Sequence, residues 1–240
     1  MEITTSHTIG SFVANDYRTA SVFQKHGIDF CCKGGKSIDE VCVAKKIDPD
    51  ILLAELADIS GQPNSVSIDF RSWPLDLLAD YIEKKHHRYI EQTTPAIRQF
   101  LDKLCKVHGS HHPELFSITD EFNASAEELA AHMKKEEMIL FPFIKKMVAA
   151  KINKDTFIKP SFGTVQNPID MMKHEHDLEG ERFRMIAILS DQYNAPADGC
   201  TTYRVAFALL KEFEADLHLH IHLENNILFP EAIEMEKEFA

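Results

Sequence analysis

Through the last two-thirds of the chain, apolar residues recur at steps of one, three and four. Leu209, Leu210, Phe213, Leu217, Ile221, Ile227 and Leu228 form one such stripe, and Leu129, Met133, Ile139, Leu140, Phe143 and Met147 another, each with a single gap of six that a polar residue of the same face fills. That period marks a helix with one face in a core. From Trp73 onward it predicts four long helices, near 74–106, 122–150, 166–193 and 202–236. Earlier residues break into shorter helical patterns, IGSFVAN, YRTASVFQKHG, SIDEVCVAKK and DPDILLAELAD, and the polar run SGQPNSVSID reads as a linker. The expected fold is all-α, with a small helical domain over 1–60, a linker over 61–72 and a four-helix bundle over 73–240.

Each stripe is interrupted by a histidine and a glutamate, where a lone polar residue would be costly. These belong to a repeat, His-x3-Glu-x3-Leu-Phe-Pro. The first copy is His132, Glu136, Leu140, Phe141 and Pro142; the second is His220, Glu224, Leu228, Phe229 and Pro230, each element 88 residues downstream. Residues four apart lie one above the other on a helix face, roughly 6 Å along the axis. Two such pairs on facing helices would gather two His and two Glu around one point, the pattern of a dinuclear metal site. Pro142 and Pro230 each remove a backbone donor and are expected to kink or end their helices.

A dinuclear site needs more ligands, and the other two helices can supply them. His176 lies 44 residues after His132 and 44 before His220; His87 lies 45 before His132. A recurrence of one helix plus loop suits a bundle with its site in the core. Periodicity does not choose between His86 and His87: Ile82, His86 and Ile90 make the better apolar stripe, whereas the duplicated register favours His87. Other histidines have plainer readings. His218 and His222 flank His220 on what reads as a solvated outer face, because alternate residues on a helix do not share a face. His174 faces away, His111 and His112 read as loop or capping residues before a helix start, and the methionines read as core filler.

Composition narrows the function classes. A net charge of −12 argues against nucleic-acid binding, which needs clustered Lys and Arg. No run approaches the roughly 18 apolar residues of a membrane span, and no secretory pattern opens the chain, so the expected home is the cytoplasm. The five Cys show no disulfide spacing, which fits a reducing compartment. Imidazole with carboxylate suits iron, manganese or zinc, and the absence of thiolate argues against a structural zinc site. Ferritin-like sites use Glu-x-x-His, so His-x3-Glu points elsewhere.

His-x3-Glu on two bundle helices, with His from the other two, resembles a hemerythrin-like up-down bundle. With HMKKEEMILFP at 132–142, HIHLENNILFP at 220–230 and HGIDFCCKGG at 26–35, the whole chain resembles the bacterial iron–sulfur cluster repair proteins called repair of iron centres. The resemblance implies two non-haem iron ions, oxo- and carboxylate-bridged, held by His87, His132, His176 and His220 with Glu136 and Glu224 as bridges. Oxygen-carrying hemerythrins use five His, and no fifth is in register here, which leaves the site more open. The resemblance further implies repair of clusters damaged by nitrosative or oxidative stress through iron donation. Damaged iron–sulfur proteins are then the partners, nitric oxide or oxygen the small ligands, and a homodimer stays open. Two other functions remain: reduction of nitric oxide to nitrous oxide at the di-iron centre, which would make the protein an enzyme, and sensing of a diatomic gas.

Cys31 and Cys32 are adjacent and followed by Gly34 and Gly35. The residues alone are equally consistent with two small apolar side chains in a helical domain. With the resemblance, the pair is expected to be redox-active, to hold metal transiently, or to face the client. Cys42, Cys105 and Cys200 read as ordinary thiols.

Overall fold

The structure, a computed structural model, describes residues 5–61, 68–155 and 160–239. It divides into two compact units, one of residues 1–78 with 221–240 and the other of residues 79–220. Half of the predicted linker, residues 62–67, lies outside the described residues.

The first unit begins with four short helices, α1 (Ile9–Asn15), α2 (Ala20–Lys25), α3 (Ile38–Lys45) and α4 (Pro49–Gly61). Local chemistry sets their starts. The Thr8 side chain caps α1, and Ser37 with Glu40 forms a reciprocal capping box on α3, so otherwise unpaired N–H groups of the first turn find acceptors. Phe12, Phe23, Phe30, Ile38, Leu52 and Leu56 are buried and form its core.

The long helices are α5 to α8. Helix α5 runs as Leu75–Tyr81, a π-helical turn Ile82–His87, and Arg88–His108. Helix α6 runs as Glu114–Lys135, a π turn Glu136–Leu140, and Phe141–Asn153. Helix α7 is Gln166–Leu189. Helix α8 runs as Thr201–Leu223, a π turn Glu224–Leu228, and Phe229–Lys237. The four follow one another in the order of an up-down helix bundle. Buried Ile97, Leu101, Leu115, Ile118, Phe122, Phe183 and Phe213 fill the core of the second unit.

Two boundaries differ from the sequence reading. Helix α6 starts at Glu114, eight residues before the expected 122, because Leu115, Ile118 and Phe122 extend its buried stripe. Helix α7 stops at Leu189 because Asp191, Gln192 and Tyr193 all take left-handed backbone angles, with φ of 49°, 58° and 62°. Pro142 and Pro230 do not end their helices. In each, the N–H of the preceding Phe bonds five residues back, Phe141 to Glu136 and Phe229 to Glu224. The wider turn gives the proline ring room that an α-helix denies it. Among the described residues no helix is long and apolar enough to cross a membrane.

Candidate metal centre

The three π turns coincide with the histidine and glutamate positions singled out by the repeat. His87 ends the turn in α5, Glu136 opens the one in α6, and Glu224 opens the one in α8. π turns concentrate at functional sites because they re-aim side chains without ending a helix.

Within the second unit, His87, Glu136 and His220 present ligand atoms all within 4.8 Å of one another, and His132, Glu136 and His176 form a second such set. Glu136 is common to both, fully buried, with Oε2 3.4 Å from His87 Nε2 and 3.3 Å from His132 Nε2. His132 and His176 face each other Nε2 to Nε2 at 3.1 Å. Two ring nitrogens so placed compete for the same space unless a cation or proton lies between them. About 3 Å is also the span between adjacent nitrogen ligands on a metal at roughly 2.1 Å. Glu224 follows His220 by one helical turn and is fully buried.

The outward nitrogens are also engaged. His87 Nδ1 lies 3.0 Å from Glu137 Oε1, and His132 Nδ1 lies 2.7 Å from Glu175 Oε2. Arg88 pairs with Glu137, and Lys135 with Glu175. The hydrogen bond from His132, helped by the Lys135 ammonium, holds the Glu175 carboxyl down at about 2. A carboxylate on Nδ1 places the ring proton there and turns a lone pair on Nε2 toward the centre, the usual outer support of a metal-bound imidazole. Sequence reasoning missed Glu137 and Glu175. Their one signal was adjacency, since Glu137 follows Glu136 and Glu175 precedes His176.

His86 is as buried as His87 but differently placed. Its Nδ1 is 3.0 Å from Asp216 Oδ2 and its ring stacks on His220 at 5.7 Å between centroids. Glu179, buried three residues past His176, is taken up by Ser125 at 2.5 Å and Arg182 at 3.3 Å. Burial of a carboxylate in a bundle is therefore not enough to mark a ligand.

Of the plainer readings, His174 and His111 are exposed, and His112 sits in the loop beside Glu114 and Asp198. His222 corrects the expectation of a solvated face. In the first unit it is 1% exposed, packed between Tyr17 and Phe30 with ring centroids 6.2 and 5.8 Å away, and Asn226 Nδ2 is 3.1 Å from its Nδ1. A neighbouring segment covers that face, which periodicity along one helix cannot reveal. Cys200, read as ordinary, lies 3.3 Å from His108 Nε2. This contact and main-chain N–H groups of the first turn of α8 bring its thiol down to about 7.

Comparison with known proteins places these features. Residues 79–232 match the hemerythrin HHE cation-binding domain, and residues 5–60 match ScdA_N, described as a domain of unknown function. The iron–sulfur cluster repair protein YtfE of Enterobacter sp. (strain 638) is 33% identical over 226 residues, covering 94% of this chain and 96% of the relative. Its counterpart in Musicola paradisiaca is 31% identical over 219 residues, covering 91% and 92%. An Escherichia coli relative of the same name is 33% identical with the same coverage as the Enterobacter protein. The donor set, buried and free of thiolate, fits a cation-binding domain of this kind. The chain belongs to the iron–sulfur cluster repair family, with a hemerythrin HHE cation-binding domain over residues 79–232 behind an ScdA_N segment over residues 5–60.

Proposed function

We propose that this protein holds two non-haem iron ions and repairs iron–sulfur clusters damaged by nitrosative or oxidative stress by giving up iron to them, in the cytoplasm. The observation that carries the reading is the convergence of His87, His132, His176 and His220 on Glu136. In this reading His87 and His220 would hold one ion and His132 and His176 the other, with Glu136 shared between them. Glu224 would be the second shared carboxylate, as the family resemblance implies. The likeness to iron–sulfur cluster repair proteins supports repair as the task.

When bound, the iron supplies exchangeable ferrous ions and one-electron redox chemistry. The chain's own part is to hold and release. Glu137 and Glu175 aim the imidazoles, the buried wall of the bundle excludes bulk water, and Glu136 balances charge between the ions. Four histidines leave coordination positions unfilled by protein, so iron can leave without the bundle unfolding.

The test is to load the full-length protein, measure iron per chain, and mix it with an iron–sulfur hydro-lyase inactivated by peroxide. Two irons per chain, lost in step with recovery of the hydro-lyase, is the expected result. Full retention of both irons while the hydro-lyase stays inactive overturns the reading.

A further inference from the structure

The segment HGIDFCCKGG contains a second constellation of ligating groups, and it does not depend on the bundle reading. Asp29, Cys31 and Cys32 present one oxygen and two sulfurs all within 4.8 Å of one another. Cys31 is buried, whereas Asp29 and Cys32 are partly exposed. Asp29 Oδ1 accepts the Cys32 main-chain N–H at 2.9 Å and lies 3.3 Å from Cys31 Sγ; the two sulfurs are 3.7 Å apart. Asn225 Nδ2 donates to the Cys31 carbonyl at 3.3 Å, and Asn226 Nδ2 to the same carbonyl at 3.1 Å and to Phe30 at 3.3 Å. Asn226 approaches so closely that a Cβ on Gly10 or Gly34 would stand 2.3 or 2.5 Å from its Oδ1, so both positions need glycine. The loop is thus held in one shape before any ligand arrives.

That shape matches a metal ion better than a disulfide. Sulfurs 3.7 Å apart subtend about 107° at a metal with bonds of roughly 2.3 Å, close to a tetrahedral angle. With a metal–oxygen bond of about 2.1 Å, the 3.3 Å separation of Asp29 Oδ1 and Cys31 Sγ subtends about 97°. Disulfide sulfurs sit about 2.05 Å apart, so closing this pair would require the held loop to move. A divalent ion there would take both sulfurs as thiolates and release their protons to solvent.

We infer that Asp29, Cys31 and Cys32 form a three-ligand site for a thiophilic first-row cation, ferrous iron or zinc, with its fourth position open on the partly exposed Cys32 side. An open, mixed sulfur–oxygen site exchanges its ion more readily than a closed four-thiolate one.

Cobalt(II) is the probe, added to the full-length, thiol-reduced protein without oxygen. A His–carboxylate site gives no thiolate-to-cobalt absorption, so the near-ultraviolet band reports sulfur ligation alone. The expected band saturates at one thiolate-bound cobalt per chain. It disappears in Cys32→Ser, a partly exposed position whose folding is checked by helix content, and its half-saturation point rises at least tenfold in Asp29→Asn. In His176→Ala the band stays, so failure of the bundle reading would leave this site intact. No band with excess cobalt overturns the site, as does an undiminished band in Cys32→Ser, which would show that Cys32 is not a ligand.

Discussion

His132 Nδ1 and Glu175 Oε2 lie 2.7 Å apart, and His87 Nδ1 and Glu137 Oε1 repeat the arrangement at 3.0 Å. Both carboxylates sit next in sequence to a residue of the centre, so one helical turn delivers an inner group and the outer support of a different helix's histidine. Glu175→Gln keeps the shape but removes the charge that fixes the ring. It should weaken ferrous binding by about 10- to 100-fold while leaving helix content unchanged, measured by competition with a chromogenic chelator. Unchanged affinity would mean that His132 is oriented by packing alone.

Glu136 is tested by removal. Glu136→Ala or Glu224→Ala should leave helix content largely intact and lower bound metal below two per chain, read by elemental analysis. Two tightly held irons in both variants would refute their role as bridges.

Cys200 should be the first of the five thiols to react. It is exposed, whereas Cys31 and Cys42 are buried, and His108 brings it to about 7. Alkylation by iodoacetamide, mapped by peptide mass, should therefore reach half its maximal rate near pH 7 at Cys200. In His108→Ala that midpoint should move up toward the ordinary thiol value of about 8.5. An unmoved midpoint would leave the helix terminus as the sole cause.

Glu214 links pH to stability. Burial beside Tyr193 pushes its carboxyl up to about 7. Between the ordinary carboxylate range and that value, the folded chain keeps a proton that the unfolded chain has lost. Stability therefore falls as pH rises through this window and stays lower above it. Glu214→Gln keeps a partner for Tyr193 and removes the titration. Relative to the parent, the variant should gain about 2 kcal/mol between pH 4.5 and 8, seen as a widening gap in urea midpoints. A gap constant with pH would show that the carboxyl is solvated.

The all-α fold and the elements of the centre were legible because both are written in spacing. Leu217, His220, Ile221 and Glu224 share one helical face whatever packs on it, and the 88-residue repeat marks two such faces as equivalent. What spacing along one helix does not carry is the identity of the neighbour. His222 reads as solvated along its own helix although Tyr17 and Phe30 cover it, and nothing in that spacing marks Glu175 as the partner of His132. The π turns were hidden for another reason. A helix that widens once changes its register by a single residue, which a tolerance of three or four absorbs unnoticed. Leu115 and Ile118, by contrast, continue the α6 stripe openly, so the early start at Glu114 was available to the same reasoning.

Each π turn amounts to one residue inserted into an otherwise regular helix, and this has a consequence for how such a chain tolerates change. Deleting one residue from Glu136–Leu140 or Glu224–Leu228 would restore the tighter bonding of an α-helix and leave the residues beyond on nearly the same face, because the wide five-residue turn and an α turn of four rotate the chain by similar angles. The buried Phe143 and Met147 would still fill the core they now fill. Length in these turns is thus held by the centre that uses the widened backbone and not by the packing downstream, and a lineage that no longer needed the centre could shed the insertion without rewriting the remainder of the helix.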